Sequence, residues 1–139
     1  MSQQRILAVD FGSKRCGLAL TDPLGITVQP LPYLKNKGTA DFLARMKDIV
    51  KEKGVEKVVL GLPRSLDGSL GVKARECQNL ARKIEEACGV PVDLEDESFT
   101  SREADEILIQ ELGVSRKKRK EARDSLAACL ILKSYLSHL

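Results

Sequence analysis

Three acidic positions lie where a chain builds a phosphate-handling centre. Asp10 closes the apolar segment Leu7-Ala8-Val9-Asp10-Phe11-Gly12-Ser13, which places it at the end of a buried strand. The triplet Glu95-Asp96-Glu97 follows a second short apolar run. Asp124 is in register with Ala128, Ile131 and Tyr135 at i+4, i+7 and i+11, an apolar helical stripe that faces inward. An inward carboxylate needs a partner, and a bound cation is one way to supply it. Two or three such acids meeting at one point give an all-oxygen site of the kind Mg²⁺ or Mn²⁺ prefers. With two ions about 3.5–4 Å apart, such a site activates water and stabilises a leaving oxygen without any histidine.

Each acid also has a plainer reading. Asp10 with Gly12 can shape a turn, the triplet can be a solvated strand end, and Asp124 can N-cap a helix that begins at Ser125. Strand alternation puts Asp96 in phase with Val92 and Leu94 and leaves Glu97 out of phase. The pattern therefore leans toward Asp96 as the inward acid and leaves the choice between the two open.

Other catalytic classes find little material. The only histidine is His138, one residue from the C-terminus, so Ser-His-Asp and Cys-His mechanisms have almost no material to work with. The four cysteines, Cys16, Cys77, Cys88 and Cys129, form no C-x-x-C pair. That excludes a zinc ribbon and points to reduced thiols used mainly for packing.

Charge is concentrated. The net charge is +3, yet residues 114–124 hold Arg116, Lys117, Lys118, Arg119, Lys120 and Arg123 against Glu121 and Asp124. That stretch carries +4 and the rest of the chain −1. A local basic run of this kind is either a phosphate-contacting patch or a solvated loop. Lys14 and Arg15, just past Asp10, are further candidates for phosphate contact.

The elements that must position these residues can be read from the same pattern. Residues 5–11 form a buried strand, 12–15 a tight turn, 16–20 a second strand and 26–34 a third. Pro30 and Pro32 put that third strand on an edge. Phe42, Met46, Ile49 and Val50 share one face of a helix from Thr39 to Gly54. Residues 57–61 form another strand, 64–71 a loop, 72–88 a helix, and 91–94 a short strand leading into the acidic triplet. Thr100 and Glu103 make a capping box for a helix ending at Leu112. A last helix covers about residues 121–137. Antiparallel strands first and crossovers afterwards imply an α/β fold with a mixed five-stranded sheet, its first three strands antiparallel and its last two parallel, flanked by helices.

The chain has 139 residues, 42% of them hydrophobic and 31% charged, which suits one domain spanning 1–139. No apolar run reaches 18 residues and no signal peptide is visible, so a cytoplasmic protein with no membrane association is expected. A monomer or homodimer both fit.

Ala8-Val9-Asp10-Phe11-Gly12-Ser13-Lys14-Arg15-Cys16-Gly17-Leu18-Ala19 resembles the first motif of the YqgF/RuvX family, Holliday-junction-resolvase-like proteins regarded as pre-16S rRNA nucleases. Gly61-Leu62-Pro63 with Asp67-Gly68 is similar to its second motif. Asp96 to Ser101 is similar to its third, and Lys120 to Ala128 to its fourth. Four motifs in order span nearly the whole chain.

The resemblance implies an RNase H-like fold and a metal-dependent hydrolase, a nuclease acting on structured nucleic acid. It also implies a role in ribosome biogenesis through 5′-end maturation of small-subunit rRNA, on a ribosomal precursor particle. Carried over by position, Asp10, Glu97 and Asp124 are the catalytic and metal-binding acids, with Mg²⁺ or Mn²⁺ as cofactor. Glu97 is thereby chosen over Asp96 on family grounds. Related junction resolvases carry a second acid one turn along the last helix, where this chain has Ala127 and Ala128. Only Glu121, one turn earlier, could substitute.

The expected activity is cleavage of structured RNA, with Lys14, Arg15 and the segment Arg116, Lys117, Lys118, Arg119 and Lys120 holding the backbone. The alternatives are a non-catalytic ribosome- or RNA-binding factor and a resolvase-like endonuclease on branched DNA. A sugar-kinase-like ATPase also uses Asp-x-Gly after a strand, but it closes two domains around its nucleotide, and 139 residues provide one.

Overall fold

The computed structural model describes residues 5–63, 72–97 and 125–138, with residues 63, 72–74 and 97 described by their backbone alone. The elements in chain order are β1 (Ile6–Phe11), β2 (Arg15–Thr21), β3 (Val28–Lys35), α1 (Thr39–Lys53), β4 (Lys57–Pro63), α2 (Val72–Cys88), β5 (Val92–Glu97) and α3 (Leu126–Ser137). The sheet order is β3-β2-β1-β4-β5. β1–β2 and β2–β3 are antiparallel, while β1–β4 and β4–β5 are parallel. This is the mixed sheet expected from the order of elements, with the proline-bearing strand on an edge.

Both faces of the sheet are covered, and strand alternation assigns each residue to one of them. Leu7, Val9, Leu18, Leu20, Val58 and Leu60 pack with Phe42, Met46 and Val50 of α1 and Leu80, Ala81 and Ile84 of α2. Ile6, Ala8, Ala19 and Val59 form the other face, packed against Ala128, Cys129, Ile131, Leu132 and Tyr135 of α3. Ala8 and Ala19 are direct cross-strand partners. Two small side chains at the centre leave a trough that the larger residues of α3 fill. Burying Ile131 and Leu132 each contributes roughly 1.5–3 kcal/mol before ordering costs.

α1 has the stripe and the stop that its spacing predicts. Phe42, Met46 and Val50 are buried, and Gly54 ends the helix in the left-handed conformation, its N–H donating to the Val50 carbonyl. Two boundaries differ from expectation. β5 continues through the acidic triplet to Glu97, because residues 95–97 keep parallel pairing with 61–63 of β4. The last helix begins at Leu126, not near 121, since Ser125 is non-helical at φ −117° and ψ 23°. The capping box at Thr100, the helix to Leu112, the loop at 64–71 and the basic segment lie outside the described residues.

Among the described residues, no helix is long and apolar enough to cross a membrane.

Candidate active site

Asp10 lies at the C-terminal end of β1, half-buried. It shares parity with Ile6 and Ala8, which puts position 10 on the α3 face of the sheet. Its cross-strand partner is Gly17 of β2, so no side chain opposes it there. Among the described residues its carboxylate has no hydrogen bond or ion pair. Its charge reaches Cys16: burial pushes that thiol up, the Asp10 carboxylate adds to the rise, and a backbone hydrogen bond at Gly12 opposes it. Cys16 therefore stays a protonated packing residue.

The turn beyond Asp10 is fixed by backbone geometry. Gly12 N–H donates to the Arg15 carbonyl at 3.1 Å. A Cβ on Gly12 would stand 2.5 Å from that same oxygen, so only glycine fits. Asn36 ties this turn to the end of β3. Its Nδ2 donates to the Gly12 carbonyl at 2.8 Å, and its backbone N–H donates to the Lys14 carbonyl at 2.9 Å.

The start of α3 is anchored beside Asp10 through Ser125. The β2–β3 register shifts between Cys16, paired with Leu34, and Leu18, paired with Leu31. β3 thus has one residue more than β2 over this interval, and Pro32 and Tyr33 stand opposite Gly17, a bulge next to the candidate site. The fully buried Ser125 fills the gap. Its Oγ accepts from Leu18 N–H at 3.2 Å and donates to the Leu31 carbonyl at 2.6 Å. Ser125 also holds the N-cap position of α3 without a capping hydrogen bond from its side chain. The N-cap reading of Asp124 is thereby corrected.

The far end of α3 is fastened to β4 and β5. Tyr135 Oη donates to Asp93 Oδ2 and accepts from Lys57 Nζ at 2.9 Å. Lys57 and Asp93 are 3.4 Å apart. The Tyr135 hydrogen bond lowers the Asp93 pKa, against the effect of burial, and it raises that of Lys57. Ser134 Oγ donates to Glu95 Oε1 at 3.1 Å, and His138 Nε2 meets the same oxygen at 3.0 Å. The single histidine is thus spent on holding the helix.

These contacts change the reading of the acidic triplet. Val92 and Leu94 pack toward α1 and α2, while Asp93 and Glu95 meet α3. Alternation therefore assigns position 96 to the face away from Asp10. The lean toward Asp96 treated the apolar side as the only inward one, whereas the sheet is buried on both. Glu95 is engaged by α3, and position 97 shares its parity.

Of the expected site, Asp10, Lys14 and Arg15 are described with their side chains. Glu97 is described by its backbone, and Asp124 and Arg116, Lys117, Lys118, Arg119 and Lys120 lie outside the described residues. Among the described residues, no group of three potential metal ligands comes together. Sequence reading missed Ser125, Tyr33, Lys35 and Lys37, which only long-range hydrogen bonds and strand pairing bring near Asp10.

The mixed five-stranded sheet with helices on both faces is the architecture of an α/β protein with the RNase H-like fold. Two solved structures share the fold. Fowlpox virus resolvase, solved with Holliday junction DNA, superposes with a TM-score of 0.62 at 13% identity, covering 97% of this chain and 98% of that one. Thermus thermophilus RuvC, solved with a Holliday junction substrate, gives 0.61 at 17% identity, covering 97% and 96%.

The chain belongs to the RuvX family, described as Holliday junction resolvase, which it matches over residues 4–138. A Syntrophomonas wolfei protein named "Putative pre-16S rRNA nuclease" is 44% identical over 132 residues, 95% of this chain and 93% of its own length. A Streptococcus mutans protein of the same name is 41% identical over 138 residues, 97% and 99%.

Proposed function

We propose that the chain is a metal-dependent endonuclease, a hydrolase that cuts phosphodiester bonds of structured RNA in maturing the 5′ end of 16S ribosomal RNA. Residues 1–139 act as one nuclease domain in the cytoplasm, on the ribosomal precursor particle. The observation that carries this reading is the anchoring of Ser125. Its hydroxyl bonds the amide that joins Gly17 to Leu18, and Gly17 is Asp10's partner. Asp124 directly precedes Ser125 in the sequence, and Ser125 is held on β2, the strand that pairs with β1.

Asp10, Asp124 and Glu97 are the proposed ligands of Mg²⁺ or Mn²⁺. Position 97 has the parity of Asp93 and Glu95, the face on which Asp10 lies. One strand, β4, separates β1 from β5, so their backbones are two strand spacings, about 10 Å, apart. The donor set is all oxygen, and a half-buried Asp10 with no hydrogen bond or ion pair among the described residues suits a cation. A divalent ion held there supplies Lewis acidity and neutralises charge at the phosphate. The protein's own work is to orient the strand. Lys14 and Arg15 at the turn beyond Asp10, with Arg116 to Lys120, hold the phosphates on either side of the cleaved bond.

The test is cleavage of an RNA carrying the 5′ precursor junction of 16S rRNA, with Mg²⁺ or Mn²⁺, by wild type and Asp10→Asn. Cleavage by wild type alone is expected. Equal cutting by both proteins sinks the mechanism, and tight binding without turnover by either identifies a non-catalytic RNA-binding factor. A branched DNA substrate in parallel separates the rRNA activity from junction resolution.

A further inference from the structure

Beside Asp10 the sheet carries a second charged surface that the acids do not explain. Arg15 and Lys35 are cross-strand partners at the β2–β3 end. The Arg15 guanidinium lies 5.2 Å from the centroid of the Tyr33 ring. With Lys14 and Lys37 they line an open cavity of about 620 Å³. Among the described residues, no carboxylate pairs with Lys14, Lys35 or Lys37. Asn36, which also lines the cavity, ties β3 to the Gly12–Arg15 turn.

We propose that this shelf holds an unpaired stretch of the substrate strand next to the scissile site, one base lying on the Arg15–Tyr33 stack and the neighbouring phosphates on Lys35 and Lys37. The inference rests on the nuclease reading and adds to it a preference for single-stranded flanks.

Three observations converge on it. The bulge puts Tyr33 opposite Gly17, and Gly17 is opposite Asp10, so the shelf lies two strand spacings, about 10 Å, from the candidate site. That is roughly three nucleotide rises along one strand. An aromatic ring with a guanidinium beside it is a stacking platform that any unpaired base can use, whereas a base inside a duplex cannot reach it. Cations flanking the ring complete the pairing of stacking and charge found in single-strand grooves. A patch for an acidic peptide would need the charge but not the platform.

The test uses fluorescence anisotropy in EDTA with the full chain carrying Asp10→Asn, so that nothing is cut. The probes are a fluorescein-labelled RNA hairpin with a ten-nucleotide single-stranded tail and the same hairpin blunt-ended. The tailed probe should bind more tightly, and adding Tyr33→Ala should weaken tailed binding by about fivefold or more while sparing the blunt probe. Lys35→Gln with Lys37→Gln should lower the slope of log K against log salt by about 1.4, two contacts on a single strand. Lys51→Gln with Lys53→Gln, on α1, should change neither. Circular dichroism melts of the variants confirm that each is folded.

Tail-independent binding, or an undiminished tail preference in Tyr33→Ala, overturns the shelf and leaves the nuclease reading standing. Failure to bind either RNA overturns both.

Discussion

Ser125 Oγ accepts the Leu18 amide proton at 3.2 Å across a separation of 107 residues. The same oxygen donates to Leu31, so one hydroxyl closes a break in the β2–β3 ladder. Ser125→Ala leaves the buried Leu18 N–H without its partner, worth about 1–3 kcal/mol, and frees the part-buried Leu31 carbonyl. Urea unfolding should show a loss of about 2 kcal/mol or more at an unchanged m-value. Nuclease activity should fall even where the variant is fully folded, since the point from which Asp124 extends is released. Ser125→Thr, which keeps the hydroxyl, should recover most of both. Equal stability of Ser125→Ala and wild type would show that the bridge is idle.

Asp10→Asn separates chemistry from folding. With no hydrogen bond or ion pair among the described residues for the amide to break, stability should stay within about 0.5 kcal/mol of wild type. Turnover should drop by about 10³, the order of magnitude for removing a group that stabilises developing charge. Calorimetric titration with Mn²⁺ should show weakened binding. A large stability change would place Asp10 in the scaffold instead.

Gly12→Ala tests the turn. Its Cβ would meet the Arg15 carbonyl oxygen at 2.5 Å, backbone against backbone, so the turn must open. The cost should be about 1–3 kcal/mol, as for other overpacked sites, and the Asn36 contact to Gly12 should loosen with it. A thermal melt shows the first effect. Unchanged melting would mean that the turn has room the geometry denies.

The Lys57–Tyr135–Asp93 cluster sets a pH dependence. The Tyr135 hydrogen bond holds Asp93 below the usual carboxylate range. Its contribution is therefore complete above an unfolded value of about 3.9 and is lost as pH falls through the lowered folded one. Lys57 is raised, first by the Tyr135 hydrogen bond, and Tyr135 is raised, first by burial. Their contributions are complete below about pH 10 and are lost as pH rises through the folded values. Tyr135→Phe should flatten both limbs of a plot of Tm against pH from 2.5 to 11. Parallel curves for the two proteins would rule the cluster out.

What could be read along the chain was what lies along the chain. β1 announced itself through an apolar run ending in Asp10, and α1 through Phe42, Met46, Val50 and the stop at Gly54. Val92 and Leu94 set Asp96 on one covered face, but alternation reports two faces without saying that both are covered or which of them Asp10 shares. Ser125 carried no local mark, since its partners are 94 and 107 residues away. Lys35 and Tyr33 looked like ordinary edge-strand residues until pairing set them against Arg15. Local periodicity thus recovered the elements, while the contacts that assemble the site are products of register.

The prolines of β3 have a further consequence. Pro30 and Pro32 lie on the outermost strand, where their missing N–H groups remove donors that a foreign strand would need. Copies of the chain meeting at this edge lack two of the donors that a continuous sheet uses. The rim nearest the basic shelf is thereby a poorer template for edge-to-edge strand pairing than an edge with all its donors.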